Sequence, residues 1–201
     1  MASQSLNSIS FVISAVYTVT FANTIYLMTV KDPMIPFSLE NMQWDYNSVI
    51  CGVISLIMTL RFFFGNNQYI SDVMDSDVKT PWIKFYHFMF IAIQSVVLLI
   101  TSYSIPNKVD FISGITSIFI IELLWYIVTF FIDRKGVYPD DKKARNDLLI
   151  AEISNFGFII CVVVVTFFIN TSSIWWLFLV FLAFIINTAI DLRKNMPIYM
   201  G

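Results

Sequence analysis

The chain has 201 residues, of which 58% are hydrophobic, 17% aromatic and 13% charged, with a mean hydropathy of +0.75, whereas a soluble domain is about 45–50% apolar and about 25% charged. The formal net charge of −2 gives no reason to expect a nucleic-acid partner, and the single histidine excludes a bis-histidine haem or a histidine-rich metal centre within one chain. This is the composition of a polytopic membrane protein, whose two cysteines, Cys51 and Cys161, lie inside apolar runs without C-x-x-C spacing and read as small hydrophobes.

The polar start, Met1 to Asn7, carries no basic residue, so the first apolar run is expected to be retained rather than removed as a secretory signal. That run covers about 9–30 and is speckled with Ser10, Ser14, Thr18, Thr20, Asn23 and Thr24, small hydroxyl and amide side chains that suit packing against other helices. Pro33 and Pro36 then disfavour helix and mark a loop. A second run, about 47–64, ends in Arg61, three phenylalanines and Gly65, read as a snorkelling arginine, with pairing to Glu122 or Glu152 in the bundle interior as the alternative, an interfacial cluster and a helix stop. The segment Gln68 to Lys79, with Asp72, Asp75 and Asp77, reads as a polar connector, after which Thr80-Pro81 restarts a helix.

The third run, about 82–103, carries Lys84, His87 and, at mid-depth, Gln94. Pro106 to Lys108 makes a short turn before the fourth run, about 111–132, with Glu122 near its centre. The segment Asp133 to Asp147 is the most charge-dense of the chain. Its Gly136 suits a helix stop, and Pro139 followed by two aspartates suits a helix start. The fifth helix is therefore expected over about 139–169, projecting from the membrane before it enters, with Glu152 and Asn155 sharing a face. Asn170 to Ser173 is a tight turn, and a sixth run, about 174–190, opens on an interfacial pair, Trp175 and Trp176. Leu192 onward reads as a short tail.

The expected fold is thus all-α, a single bundle of six transmembrane helices. Six crossings place Arg61, Lys79, Lys84, Arg134, Lys135, Lys142, Lys143, Arg145, Arg193 and Lys194 on one side and only Lys31 and Lys108 on the other. The positive-inside rule then puts both termini in the cytoplasm, in a plasma membrane or bacterial inner membrane.

Chemistry in such a chain concentrates at intramembrane polar groups. Glu122 lies about eleven residues from either end of its run, about 16 Å along the helix, too far to snorkel. It reads equally as a proton- or cation-handling group and as interhelical glue bonded to Gln94, Asn155 or a serine. Glu152 reads as a carboxylate reaching cytoplasmic water or Arg145, and His87 as an ordinary packed or interfacial ring. The candidate polar pathway is therefore Glu122, Gln94, Glu152, Asn155, Arg61 and His87.

No G-x-S-x-G, H-E-x-x-H or phosphate-binding glycine loop is present, so no catalytic residue, metal or cofactor is expected. Two functions from different classes remain. One is a non-enzymatic membrane subunit, sensing or signalling, that docks a soluble cytoplasmic protein through Arg134, Lys135, Lys142, Lys143 and Arg145; a bacterial stress or defence complex would be one such setting. The other is a small channel or carrier using Glu122. In both, the chain sits in the lipid bilayer and is expected to form a homo-oligomer.

Overall fold

The computed structural model describes residues 2–29, 45–75, 81–132 and 142–199, with side chains for 11–29, 45–66, 81–129, 131 and 149–193. Six α-helices account for nearly all of this: α1 (Ala2–Thr29), α2 (Tyr46–Asp75), α3 (Pro81–Tyr103), α4 (Lys108–Ile132), α5 (Lys142–Phe168) and α6 (Ile174–Tyr199). Each contains a stretch long and apolar enough to cross a bilayer, and no strand occurs among the described residues. The six-helix expectation therefore holds as a count of spans, which fits a multi-pass membrane protein.

The helix boundaries depart from the sequence reading in an instructive way. Gly65 does not stop α2, which runs on to Asp75, so most of the segment expected as a connector is helical. A glycine ends a helix by adopting a left-handed conformation, and no described glycine does so. Likewise α6 continues through the expected tail to Tyr199. The proline-rich stretch 30–44 and the boundary residues 133–141 lie outside the described residues.

Local capping explains several starts. Asp45 Oδ2 accepts the Ser48 backbone N–H at 3.1 Å, and Asn107 Oδ1 accepts those of Val109 and Asp110 at 3.2 and 3.4 Å. Ser173 Oγ accepts the Trp175 N–H at 3.2 Å. Each satisfies donors that the first helical turn would otherwise leave unpaired. Trp175 points outward at 66% exposed, whereas Trp176 is 2% exposed and donates its indole N–H to Thr166 Oγ1 at 3.0 Å. The expected interfacial pair is thus one belt residue and one core residue, because neighbours on a helix point about 100° apart.

Helix α2 is the hub, packing against α1, α3, α4 and α6, while α5 closes the far side against α4 and α6. The pairs α1–α2 and α3–α4 approach closely where glycine allows it. A Cβ at Gly114 would stand 2.6 Å from Thr101 Cγ2, and one at Gly52 would stand 2.7 Å from Met28 Cγ. Polar bonds join the same region: Thr24 to Ser55 at 2.8 Å, and Asn23 Nδ2 to Ser102 Oγ at 2.8 Å. Only part of the hydroxyl-rich face of α1 is used this way; Thr18 faces outward and satisfies itself on its own helix at Ser14 O. Small side chains and buried hydroxyl pairs are what allow helices to associate where lipid offers no hydrophobic driving force.

Candidate functional site

At the other end of the bundle the interior is ionic. Arg61 follows Met58 by one turn on the inward face of α2 and is itself 6% exposed. Its Nε donates to Asp191 Oδ2 at 2.9 Å, and an Nη reaches Glu122 Oε1 at 3.4 Å. The other polar neighbours are amides: Asn187 Oδ1 accepts at 3.2 Å and Asn155 Oδ1 at 3.4 Å. Glu152, 5% exposed, accepts from Asn155 Nδ2 at 3.5 Å. Asn187 Nδ2 in turn donates to Asn155 Oδ1 and Ser154 Oγ, both at 3.0 Å. One guanidinium thus joins four helices through two carboxylates and two amides, with Glu152 attached through Asn155.

This corrects two sequence readings. Arg61 does not snorkel to a boundary; its head turns into the bundle, where it meets acceptors on α4, α5 and α6. Glu152 does not reach bulk water; it faces Asn155, one turn along its own helix. A pairing with Arg145 lies outside the described side chains. Glu122 meets Arg61 rather than Gln94 or a serine.

Beneath the polar groups lies a floor of rings. Phe119, Phe158 and Phe184 each sit three residues from Glu122, Asn155 and Asn187, on the side away from the near end of the bundle. The Phe119 and Phe158 centroids are 4.8 Å apart and those of Phe158 and Phe184 6.2 Å, and the Arg61 guanidinium carbon lies 5.4 Å from the Phe119 centroid. Cation–π attraction adds to the ion pairs there. Phe158 is buried and Phe119 and Phe184 wholly so, so the rings separate the ionic centre from the glycine-packed end.

The remaining candidates are placed elsewhere. His87 is buried between α3 and α4, where its Nδ1 accepts the Trp125 indole N–H at 3.1 Å. That bond assigns the ring proton of a neutral His87 to Nε2. Gln94 is buried on α3 and makes no hydrogen bond to Glu122. Arg134 and Lys135 lie outside the described residues; Lys142, Lys143 and Arg145 lie in the first turns of α5, with side chains outside them.

The residues absent from the sequence candidates are Asn187, Asp191 and Ser154. A signal for the first two exists: Leu177, Val180, Phe184, Asn187 and Asp191 recur at intervals of three and four and form one stripe on α6. A carboxylate completing an otherwise apolar stripe points inward.

Electrostatically the centre is unbalanced. Three carboxylates and one guanidinium carry a formal charge of −2, in surroundings where each buried ion is costly unless paired. Among the described residues no three His, Cys, Asp or Glu side chains converge as a metal-ligand set; the carboxylates are arranged around Arg61, not around a common point. One oxygen, Glu122 Oε2, is buried with no hydrogen-bond partner. No known protein family, curated protein or solved structure matches the chain.

Proposed function

We propose that the protein is a multi-pass membrane carrier or channel that handles protons or small cations at the Arg61 centre, with both termini cytoplasmic. The observation that carries this reading is the surplus of two carboxylates over the single guanidinium, one of which, Glu122, has a buried oxygen without a hydrogen-bond partner. A purely architectural ion pair would be expected to be charge-matched, because every unmatched buried ion lowers stability. A centre with excess negative charge takes up positive charge from solution, and intramembrane carboxylates with that property mark ion and proton pathways.

The position of the centre supports the same reading. Glu152 lies one turn inside the near end of its span, so exchange with water on that side needs only a short opening. The ring floor of Phe119, Phe158 and Phe184 blocks continuity toward the far side. A binding group reached from one side at a time is what a carrier requires. The positive-inside rule, applied to the basic residues of the sequence, supports a cytoplasmic position for that side.

Reconstitution of the purified chain into liposomes tests the proposal. Under an imposed pH or cation gradient the protein is expected to carry flux, reported by an internal pH or cation dye, and Glu122→Gln is expected to lower the rate at least tenfold. Absence of flux from the unmodified protein under either gradient, or an unaltered rate in Glu122→Gln, overturns the reading.

A further inference from the structure

Resting on that reading, we infer that the exchangeable ligand of the Arg61 centre is the proton, held by Glu122 and Glu152, while Asp191 serves as the fixed counter-ion of Arg61. The distances divide the three carboxylates. Asp191 Oδ2 lies 2.9 Å from Arg61 Nε, within the range of a charge-assisted bond, about 2.7–2.9 Å. Glu122 Oε1 stands at 3.4 Å, beyond that range, and its other oxygen is buried without a partner. Glu152 accepts a single amide bond at 3.5 Å. Arg61 is committed to Asp191, and the two glutamates are the surplus.

A proton fits these two positions better than a metal cation does. An alkali or divalent ion needs several oxygens around one point, and the carboxylates do not converge. A cation on Glu122 Oε2 would also stand beside the Arg61 guanidinium and be repelled by it. A proton removes the carboxylate charge at the atom that bears it and asks for no further ligands. The charged and titratable groups around Glu122 on the packed helices are Arg61 of α2, Glu152 of α5, Asp191 of α6 and, more remotely, Tyr17 of α1. His87 of α3 directs its Nδ1 to Trp125 instead. Of the two glutamates, Glu152 is nearer the end of the bundle and Glu122 lies deeper, next to the ring floor. The order of use is thus uptake at Glu152 and storage at Glu122, with water carrying the proton across, since the amide of Asn155 between them has no exchangeable acid proton to relay.

The test does not depend on transport. Infrared spectra of the full chain in nanodiscs are expected to show a carbonyl stretch from protonated carboxyl groups. That band should lose intensity in Glu122→Gln and in Glu152→Gln and keep it in Asp191→Asn. Dicyclohexylcarbodiimide, which adds the O–H of a protonated carboxyl in apolar surroundings and leaves an N-acylurea, is expected to label Glu122 and Glu152 and not Asp191 in peptide maps. Labelling should fall from acidic to alkaline buffer. Should any variant fail to fold, the unmodified chain alone decides through its peptide map. A map with Asp191 labelled in place of the glutamates overturns the inference, as does a carbonyl band insensitive to Glu122→Gln. Loss of the band on adding sodium or potassium chloride at constant pH also overturns it, in favour of an alkali cation. A band and map as expected without flux in liposomes would leave proton binding standing and remove transport; flux without them would do the reverse.

Discussion

Arg61 Nε and Asp191 Oδ2 meet at 2.9 Å with both side chains 3% exposed, which fixes the central helix α2 to the end of α6. Every other bond of the ionic centre is longer or goes to a neutral amide, or both. Asp191→Ala is therefore expected to destabilise the fold by about 3–5 kcal/mol, because it leaves a buried guanidinium without its closest partner. Glu122→Ala should cost less. Unfolding in detergent micelles, followed by circular dichroism, gives the order; equal losses from the two substitutions would show that the pair is not the anchor.

Removing the guanidinium deepens the imbalance. Arg61→Met leaves three carboxylates facing one another without a cation and is expected to be at least as damaging as Asp191→Ala. Adding Asp191→Asn and Glu122→Gln to Arg61→Met should restore much of the stability, since neutral groups of similar volume replace buried charges at little cost. The triple variant would then be more stable than Arg61→Met alone, a coupling that appears only among residues acting as one network. Arg61→Lys is not expected to substitute. A single ammonium cannot serve Asp191, Glu122, Asn187 and Asn155 at once, whereas the planar guanidinium presents its donors to all of them.

The ring floor makes a separate expectation. Phe158 touches both Phe119 and Phe184, so Phe158→Ala opens a cavity directly below the ionic centre. The expected cost is about 3–5 kcal/mol, together with faster hydrogen–deuterium exchange of amides in α5 around residues 155–162. If exchange there is unchanged, the rings do not keep water out of the far half of the bundle.

How much of this was legible in the sequence differs by level. The six spans were, because each run is apolar over the length of a bilayer crossing and polar or proline-bearing segments separate most of them. Glu122 and Arg61 were legible as charges within apolar runs and their pairing as the alternative to a snorkelling arginine, but not which of the two holds: snorkelling and burial predict the same sequence near a helix end, and only the packing of α4, α5 and α6 around α2 decides between them. Asp191 was legible as a polar group at the same end as Arg61 and Glu152 but not as a member of the pathway, because it stands at the edge of its apolar run, where a charge looks like the beginning of a tail. The helix continues for two further turns, so that edge lies inside the bundle. Gly65 misled for the related reason that a glycine near charge and asparagine resembles a stop even where the helix goes on.

Sidedness has a direct check. In a background with Cys51 and Cys161 replaced by alanine, Ser172→Cys lies in the exposed turn between α5 and α6 and is expected to react with a membrane-impermeant maleimide in intact cells. Lys142→Cys should react only after the membrane is opened. The opposite pattern would place the Arg61 end outside the cell and reverse the direction in which Glu152 takes up protons.

The glycines of α4 and α5 provide the sharpest contrast between packing and lipid exposure. At Gly114 an added Cβ would meet Thr101 at 2.6 and 3.0 Å, from Cγ2 and Cβ, near the backbone of the neighbouring helix; at Gly157 it would meet nothing within 4 Å. Gly114→Leu must push α3 from α4 and is expected to cost about 1–3 kcal/mol or more through overpacking. Gly157→Ala adds a methyl group on an outward face and should be neutral or stabilise by about 0.5–1 kcal/mol through helix propensity. Unfolding in micelles measures both. The comparison also bears on assembly: if Gly157→Leu dissociated an oligomer that Gly157→Ala left intact, the open face of α5 would be a contact between copies of the chain and not one toward lipid. Unchanged oligomeric state in both variants, with Gly114→Leu destabilised, would confine close helix approach to the glycine-packed end of the bundle, opposite Arg61.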